Sequence, residues 1–164
     1  IHAFLPEGIT RLAVDSIFMM PQLGVLAEIS EKAATEVFEK DCLVYLGSCV
    51  APVGAMKPGK IALSAKLELP NGEIFEEEIP FGEVRLIPCG VGEVAKATMK
   101  PGKGLDIGAG KNQEKSCELH GGVVGIVLDT RGRQPFVLPV EASERVPLLK
   151  KWMKEFDVYP ETKQ

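Results

Sequence analysis

No window of the sequence approaches the ~20 apolar residues that a bilayer-spanning helix needs. Its strongest apolar run, Val123 to Leu128, is interrupted by Gly125, so a membrane is not an expected partner. No block of Lys or Arg would neutralise a run of phosphates, and 19 basic residues face 23 acidic ones for a formal charge of -4; nucleic acid is not expected either. Cysteine is sparse. Cys42, Cys49, Cys89 and Cys117 are too few and too scattered for a disulfide-dense secreted domain, and a chain of this size can build a core without staples. Reduced thiols and a cytoplasmic location are the expectation. The start lacks a basic segment followed by an apolar one, and it opens on Ile1 rather than Met, which leads us to expect a piece of a longer protein.

What the chain has in excess is turn chemistry. Seventeen glycines and 12 prolines sit singly or in pairs between short apolar runs, a pattern of many tight turns joining many short strands. Thr10 to Ser16 reads as a brief strand. Ile17 to Leu26 is apolar and rich in methionine, with Pro21 and Gly24 placed to break a long helix; such a stretch needs a packing partner. Ser30 is a good N-cap for a helix from Glu31 to about Lys40, with Ala33, Ala34, Val37 and Phe38 on one face. From Cys42 the period changes, and CLVYLGSCV is a nearly continuous apolar run, as in a strand buried on both faces.

Asn71-Gly72 between Ile61–Leu69 and Glu73–Ile79 is a strong hairpin signal. Further strands are predicted at Glu83–Ile87, Gly92–Met99, Ser116–Leu119, Val123–Asp129 and Pro135–Leu138, at the turn spacing of a sandwich or barrel. The chain closes with a helix from about Glu144 to Asp157, capped by Ser143, whose stripe is Val146, Leu149, Trp152, Met153 and Phe156. The expected class is therefore mainly β with flanking helices (α+β). An antiparallel sandwich or barrel-like body at 41–141 follows a short N-terminal α/β segment at 1–40 and precedes a C-terminal amphipathic helix and tail at 142–164. Met-Lys-Pro-Gly-Lys occurs twice, at Met56–Lys60 and Met99–Lys103. Either an old duplication or repeated turn chemistry would produce it, and the unlike flanks favour the turns.

Four constellations could carry chemistry. GLDIGAGKN at Gly104 to Asn112 places Asp106, Gly108, Gly110 and Lys111 in a glycine-rich loop after a strand, the type of segment that turns amides and a lysine toward an anion. The match to a phosphate loop is imperfect: five residues, not four, separate Gly104 from Gly110, and Asn112 stands where Ser or Thr follows the lysine. A bare structural turn is the competing reading. Arg131 and Arg133, in a charged turn after the most apolar strand, could grip a carboxylate or phosphate, or simply form a solvated turn. Cys117 and His120 make a C-x-x-H pair, half of a zinc site without a second close pair to complete it. A cysteine nucleophile served by His120 lacks an elbow-like turn. Glu76, Glu77 and Glu78 read as an edge strand protected against pairing.

Taken together, DSIFMMPQLGVLAEI (Asp15–Ile29), EVFEKDCLVYLGSCVAPVG (Glu36–Gly54), GLDIGAGK (Gly104–Lys111), GGVVGIVLDTRGR (Gly121–Arg133) and the closing ERVPLLKKWMKEFDVYP resemble the C-terminal part of the longer glutamate mutase L proteins, the MutL/GlmL family of actin-like ATPases. DIGAG by itself is similar to the first phosphate loop of actin-like ATPases, with Lys111 and Asn112 in place of the usual hydroxyl residues. The resemblance implies that residues 1–40 are the tail end of an upstream ATPase core, which would use ATP and Mg, and that the β-rich remainder is an extension. It further implies an accessory or reactivating role toward an adenosylcobalamin-dependent mutase.

No catalytic residue is carried over onto this chain, and no cofactor is expected to be bound by it. Neither His2 nor His120 sits in the D-x-H-x-x-G setting that presents a histidine to cobalamin. Two readings follow. One is a non-catalytic interaction domain that binds the mutase or another copy of itself. The other is a small-molecule module that holds a phosphate or nucleotide between the 104–111 loop and the arginines of the 131–133 turn, which requires those two loops to share a cleft.

Overall fold

The structure, a computed structural model, describes residues 5–133 and 138–157. Among them are eight strands and three α-helices: β1 (Gly8–Asp15), α1 (Met20–Ile29), α2 (Glu31–Val37), β2 (Leu43–Ala51), β3 (Ile61–Glu68), β4 (Ile74–Pro80), β5 (Val84–Ile87), β6 (Val94–Pro101), β7 (Lys115–His120), β8 (Ile126–Asp129) and α3 (Ala142–Glu155). The strands form two four-stranded sheets, ordered β1-β2-β8-β5 and β4-β3-β6-β7. The body is thus an open sandwich and not a closed barrel. All pairings are antiparallel except β2 with β8, which run parallel through Cys49–Val127 and Val50–Leu128. The strand expected at Pro135–Leu138 falls outside the described residues except for Leu138, which lies in a loop.

Alternation along the strands builds two apolar layers. The main core lies between the sheets, with Val50, Ile87, Ile126 and Leu128 from the first meeting Leu63, Leu67, Ile79, Met99 and Leu119 from the second. β2 and β8 are also apolar on their other side, where Cys49, Ala51, Val84 and Val127 form a second cluster met by Phe156, just beyond α3. This is why CLVYLGSCV reads as continuously apolar: its C-terminal half is buried on both faces. The outer face of the second sheet is the opposite case. Lys66 pairs with Glu76 across β3 and β4 at 3.7 Å, Lys96 stands opposite Glu118, and Thr98 shares a 3.0 Å hydrogen bond with Ser116, a cross-strand polar ladder facing water.

Several local expectations are refined. The 61–79 hairpin forms, but its turn centres on Pro70 and Asn71: the Gly72 amide donates to the Leu69 carbonyl, and Gly72 itself follows at φ 84°. That is a longer loop than the two-residue Asn-Gly turn. Pro21 does not prevent α1, because it occupies the first turn, where its missing N–H has no partner to lose. Ser30 caps α2 by accepting from the Ala33 amide at 3.3 Å, and the chain then relaxes into a wider π-turn at Phe38–Cys42. Ser143 is not the cap of α3. The helix begins one residue ahead of it, with Glu141 at the cap position and no side-chain capping bond.

The two Met-Lys-Pro-Gly-Lys copies adopt different turns. Pro58-Gly59 is the centre of a turn closed by Lys60 on Lys57, with Gly59 at φ 78°. Pro101 instead ends β6, and the turn is displaced to Lys103-Gly104. Identical pentapeptides therefore do different work, set by where each strand ends. No helix among the described residues is long and apolar enough to cross a membrane.

One packing constraint is severe. At Gly47 a Cβ would stand 1.8 Å from the Gly125 carbonyl oxygen, and at Gly122 2.3 Å from the Leu46 carbonyl carbon, so β2 and the 121–125 segment are in backbone contact. Gly47→Ala is expected to lower the unfolding free energy by about 3 kcal/mol or more. Gly72→Ala, with nothing within 4 Å of its Cβ and only a positive φ to offend, should cost about 1–2 kcal/mol. Urea denaturation separates the two, and equal losses would contradict the close approach.

Candidate functional site

Asp129 ends β8 and is 2% exposed. A carboxylate at that depth needs opposite charge and hydrogen bonds, and the next turn supplies both. Arg131 closes a fork on it, Nε donating to Oδ1 at 2.8 Å and Nη2 to Oδ2 at 2.6 Å, while Arg133 Nη2 donates to Oδ2 at 2.8 Å. Burial pushes the Asp129 pKa up, but the Arg131 hydrogen bonds and the charges of both arginines outweigh it and hold the carboxyl below the ordinary carboxylate value. Arg133 also donates through Nε to the Pro6 carbonyl at 2.6 Å. The Arg131 guanidinium stacks 5.1 Å from the ring centres of both Trp152 and Phe156. The two arginines are therefore structural partners of Asp129, not a pair held open for a ligand.

Beside this triad lies a cleft of about 220 Å3. Leu12, Leu46, Val124, Val127 and Phe156 line it, with Asp129 and Arg131 at one wall. Cys49 also lines it, and burial pushes that thiol up to about 12, with the Asp129 charge adding to the rise. It is a protonated thiol without nucleophilic character at neutral pH.

The glycine-rich loop has used its amides internally. Asp106 Oδ1 accepts from the backbone N–H of Gly108 at 2.6 Å, Ala109 at 3.1 Å and Gly110 at 3.0 Å. These bonds, led by that of Gly108, hold the Asp106 carboxyl below its usual range. The concavity that would cradle a phosphate already holds an anion, the chain's own. Asn112, at φ 61°, accepts from the Gly104 amide at 2.6 Å, and a bridge between Val53 and Asp106 stitches the loop to the chain just past β2. Lys111 is exposed beside a shallow depression lined by Gly8, Gly54, Gly104 and Asp106. That depression and the cleft beside Arg131 share no lining residue, so the 104–111 loop and the 131–133 turn do not meet in one cleft.

Cys117 packs half-buried against the main core from β7. His120 is fixed through its backbone: its N–H donates to Ser48 Oγ and its carbonyl accepts from the same hydroxyl, both at 2.9 Å. Among the described residues no group of three or more His, Cys, Asp or Glu could hold a metal. All four cysteines carry free thiols. Glu77 of the acidic run turns back to grip Arg85 with contacts of 2.8–3.1 Å, linking β4 to β5, while Glu76 and Glu78 remain exposed on an edge strand.

The surface with most unspent binding capacity is the helical arm between β1 and β2. α1 buries only Leu23, and α2 only Ala34. Phe18 and Ile29 are each 83% exposed, Val25 64%, Met20 58% and Ile17 51%, a run of apolar side chains on and just before α1 that water contacts at a cost. Phe18 is also held at φ 54°, a conformation costly for an aromatic residue. Asp15 Oδ1 maintains it by accepting from the Ile17 and Phe18 amides at 3.1 and 2.9 Å. The sequence signal for this arm was the partnerless methionine stretch. Nothing in it pointed to the backbone of Phe18.

Removing the buried carboxylate charge leaves two guanidiniums facing each other, so Asp129→Asn is expected to cost about 3–5 kcal/mol. Because the folded-state pKa is lowered, the stabilisation is fully present above the unfolded value of about 3.9 and is lost as pH falls through the folded one. The stability gap between wild type and Asp129→Asn should therefore narrow below about pH 4. Thermal melts across pH check this, and a gap independent of pH would show that the charge is not what Asp129 contributes.

No known protein family, curated protein or solved structure matches this chain.

Proposed function

We propose that this chain is a non-catalytic assembly domain that binds another protein through the arm formed by α1 and α2. The single observation that carries the reading is the exposure of Ile17, Phe18, Met20, Val25 and Ile29 on an arm that buries almost nothing of itself. Exposed apolar side chains concentrated on one short segment support an interaction site, and an aromatic held in a strained backbone conformation with its ring in solvent suits an anchor for a partner's pocket. The resemblance to glutamate mutase L sets the context: an accessory or reactivating factor of an adenosylcobalamin-dependent mutase, working with an actin-like ATPase unit that would use ATP and Mg. The sandwich then serves as a rigid mount, with the triad and α3 fixing its outer layer and the arm free to dock.

The alternative, a phosphate or nucleotide module built on Lys111, is less well supported. Asp106 occupies the loop's own amides, and the arginines that would assist are bound to Asp129 in another cleft.

Phe18→Asn tests the reading, because asparagine tolerates a positive φ better than phenylalanine. The variant should keep or slightly gain stability, within about 0.5 kcal/mol, while binding of a hydrophobic dye to the arm falls. A loss above about 2 kcal/mol would mean that Phe18 is core and would remove the docking surface. Calorimetry with ATP, ADP and inorganic phosphate adds a second check. No heat is expected, and micromolar binding abolished by Lys111→Ala would move the function to the 104–112 loop.

A further inference from the structure

The charges of this chain are not spread evenly. Between Asp15 and Asp41 lie six acids (Asp15, Glu28, Glu31, Glu36, Glu39, Asp41) against two lysines (Lys32, Lys40), a net of -4. That equals the formal charge of the entire chain, so the residues outside the arm balance to zero. Five of the six acids are exposed, and only Glu36 has an ion-pair partner among the described salt bridges, Lys40 at 3.9 Å. The arm therefore carries exposed apolar side chains, on and just before α1, together with exposed acids on α1, on α2 and in the π-turn that follows. Deepening the assembly reading, on which it rests, we infer that the arm's partner is a different protein offering an apolar groove rimmed by Lys and Arg.

Charge weighs against a second copy as the occupant. A second copy would bring -4 against -4 across an interface, and like charges so placed cost several kcal/mol at low salt. A lysine- or arginine-rimmed groove turns the same charges into steering and selection: complementary potentials raise the association rate, and the apolar anchors supply the affinity. Phe18, Val25 and Ile29 would enter the groove, while Glu28, Glu31, Glu36 and Glu39 meet its rim. Because these charges are solvent-exposed, the attraction is screened over about 8–10 Å at ordinary ionic strength, so salt sensitivity is part of the inference.

The test uses two synthetic amphipathic peptides of about 18 residues, long enough to hold helical structure, identical in their leucine face and differing only in whether the polar face carries lysine or glutamate. Fluorescence titration of the intact chain at about 50 mM salt should show the lysine peptide binding at least about 100-fold more tightly than the glutamate peptide. That affinity should fall about tenfold by about 300 mM salt, and Phe18→Asn should abolish it. Equal binding of the two peptides, or affinity indifferent to salt, overturns the charge selection and leaves the apolar docking reading standing. Sedimentation showing that the chain dimerises at low salt more tightly than it binds the lysine peptide assigns the arm to a second copy and also overturns it. Failure of both peptides to bind overturns the inference alone if Phe18→Asn is neutral for stability. If Phe18→Asn is also strongly destabilising, the assembly reading fails with it.

Discussion

The buried carboxylate of Asp129 is the constraint on which the outer half of the molecule depends. It sits at the end of β8, the strand that joins β2 to β5, and its two arginines reach three separate parts of the chain. Arg133 holds the lead-in through the Pro6 carbonyl, and Arg131 lies against Trp152 and Phe156. Trp152 in turn donates from its indole nitrogen to the Gly82 carbonyl at 2.9 Å, and the Gly82 amide donates to the Thr130 carbonyl. A second polar network meets it from the β5 side, where Arg85 contacts Glu77, Glu83 and Glu155, and Lys151 reaches Glu83. α3 is thus fixed by polar bonds at positions where its apolar contact is thin, with Trp152 its only fully buried side chain. A buried ion triad is not in itself a source of stability, since desolvation offsets most of the attraction. What it supplies here is registry: turn, lead-in and helix each have one arrangement that satisfies the charges.

Which parts of this were legible in the sequence follows from the range of the interactions. Ser30 and the 61–79 hairpin act over a few residues, and their outcomes could be read, apart from details such as the displaced turn at Pro70-Asn71, whereas Pro21, expected to break a helix, stands in the first turn of one. The two-sided burial of the C-terminal half of β2 was legible because the Cys42–Val50 run is nearly all apolar, although Val44 near its start is exposed. The division into two sheets was not, nor was the parallel β2–β8 pair, because 77 residues lie between its first paired positions, Cys49 and Val127, and local pattern carries no pairing information at that distance.

The candidate sites show the same limit in chemical form. Asp106, Gly108 and Gly110 read either as an anion-receiving loop or as a bare turn, and in the structure the loop amides are taken by Asp106 itself, two to four residues away. Arg131 and Arg133 read either as a grip for a carboxylate or phosphate or as a solvated turn, and in the structure both bind the carboxylate of Asp129, at the end of the preceding strand. In both cases the residue types announced their chemistry while the sequence left open whether the partner was internal or foreign. A short acidic side chain close to a glycine-rich or arginine-rich turn is the feature that closes such a site on itself.

The two outer faces of the sandwich have opposite characters, and this gives the molecule a direction. One face is a ladder of Lys, Glu, Thr and Ser that is satisfied across its own strands and gains little from covering, since exposed pairs of this kind contribute only about 0–1 kcal/mol and lose it on dehydration. The other carries a second apolar layer, covered in part by the α3 end and, among the described residues, open in part at the cleft beside Phe156. The arm leaves from this same sheet, between β1 and β2. Under the proposed docking reading, apolar burial is to be gained on the side of the β1-β2-β8-β5 sheet, since the polar ladder gains little from being covered. The arm joins β2 at Leu43, whereas Asp129 follows Leu128 beside the Ala51 end of the same strand, so the triad fixes the register of the sheet at the end away from the arm.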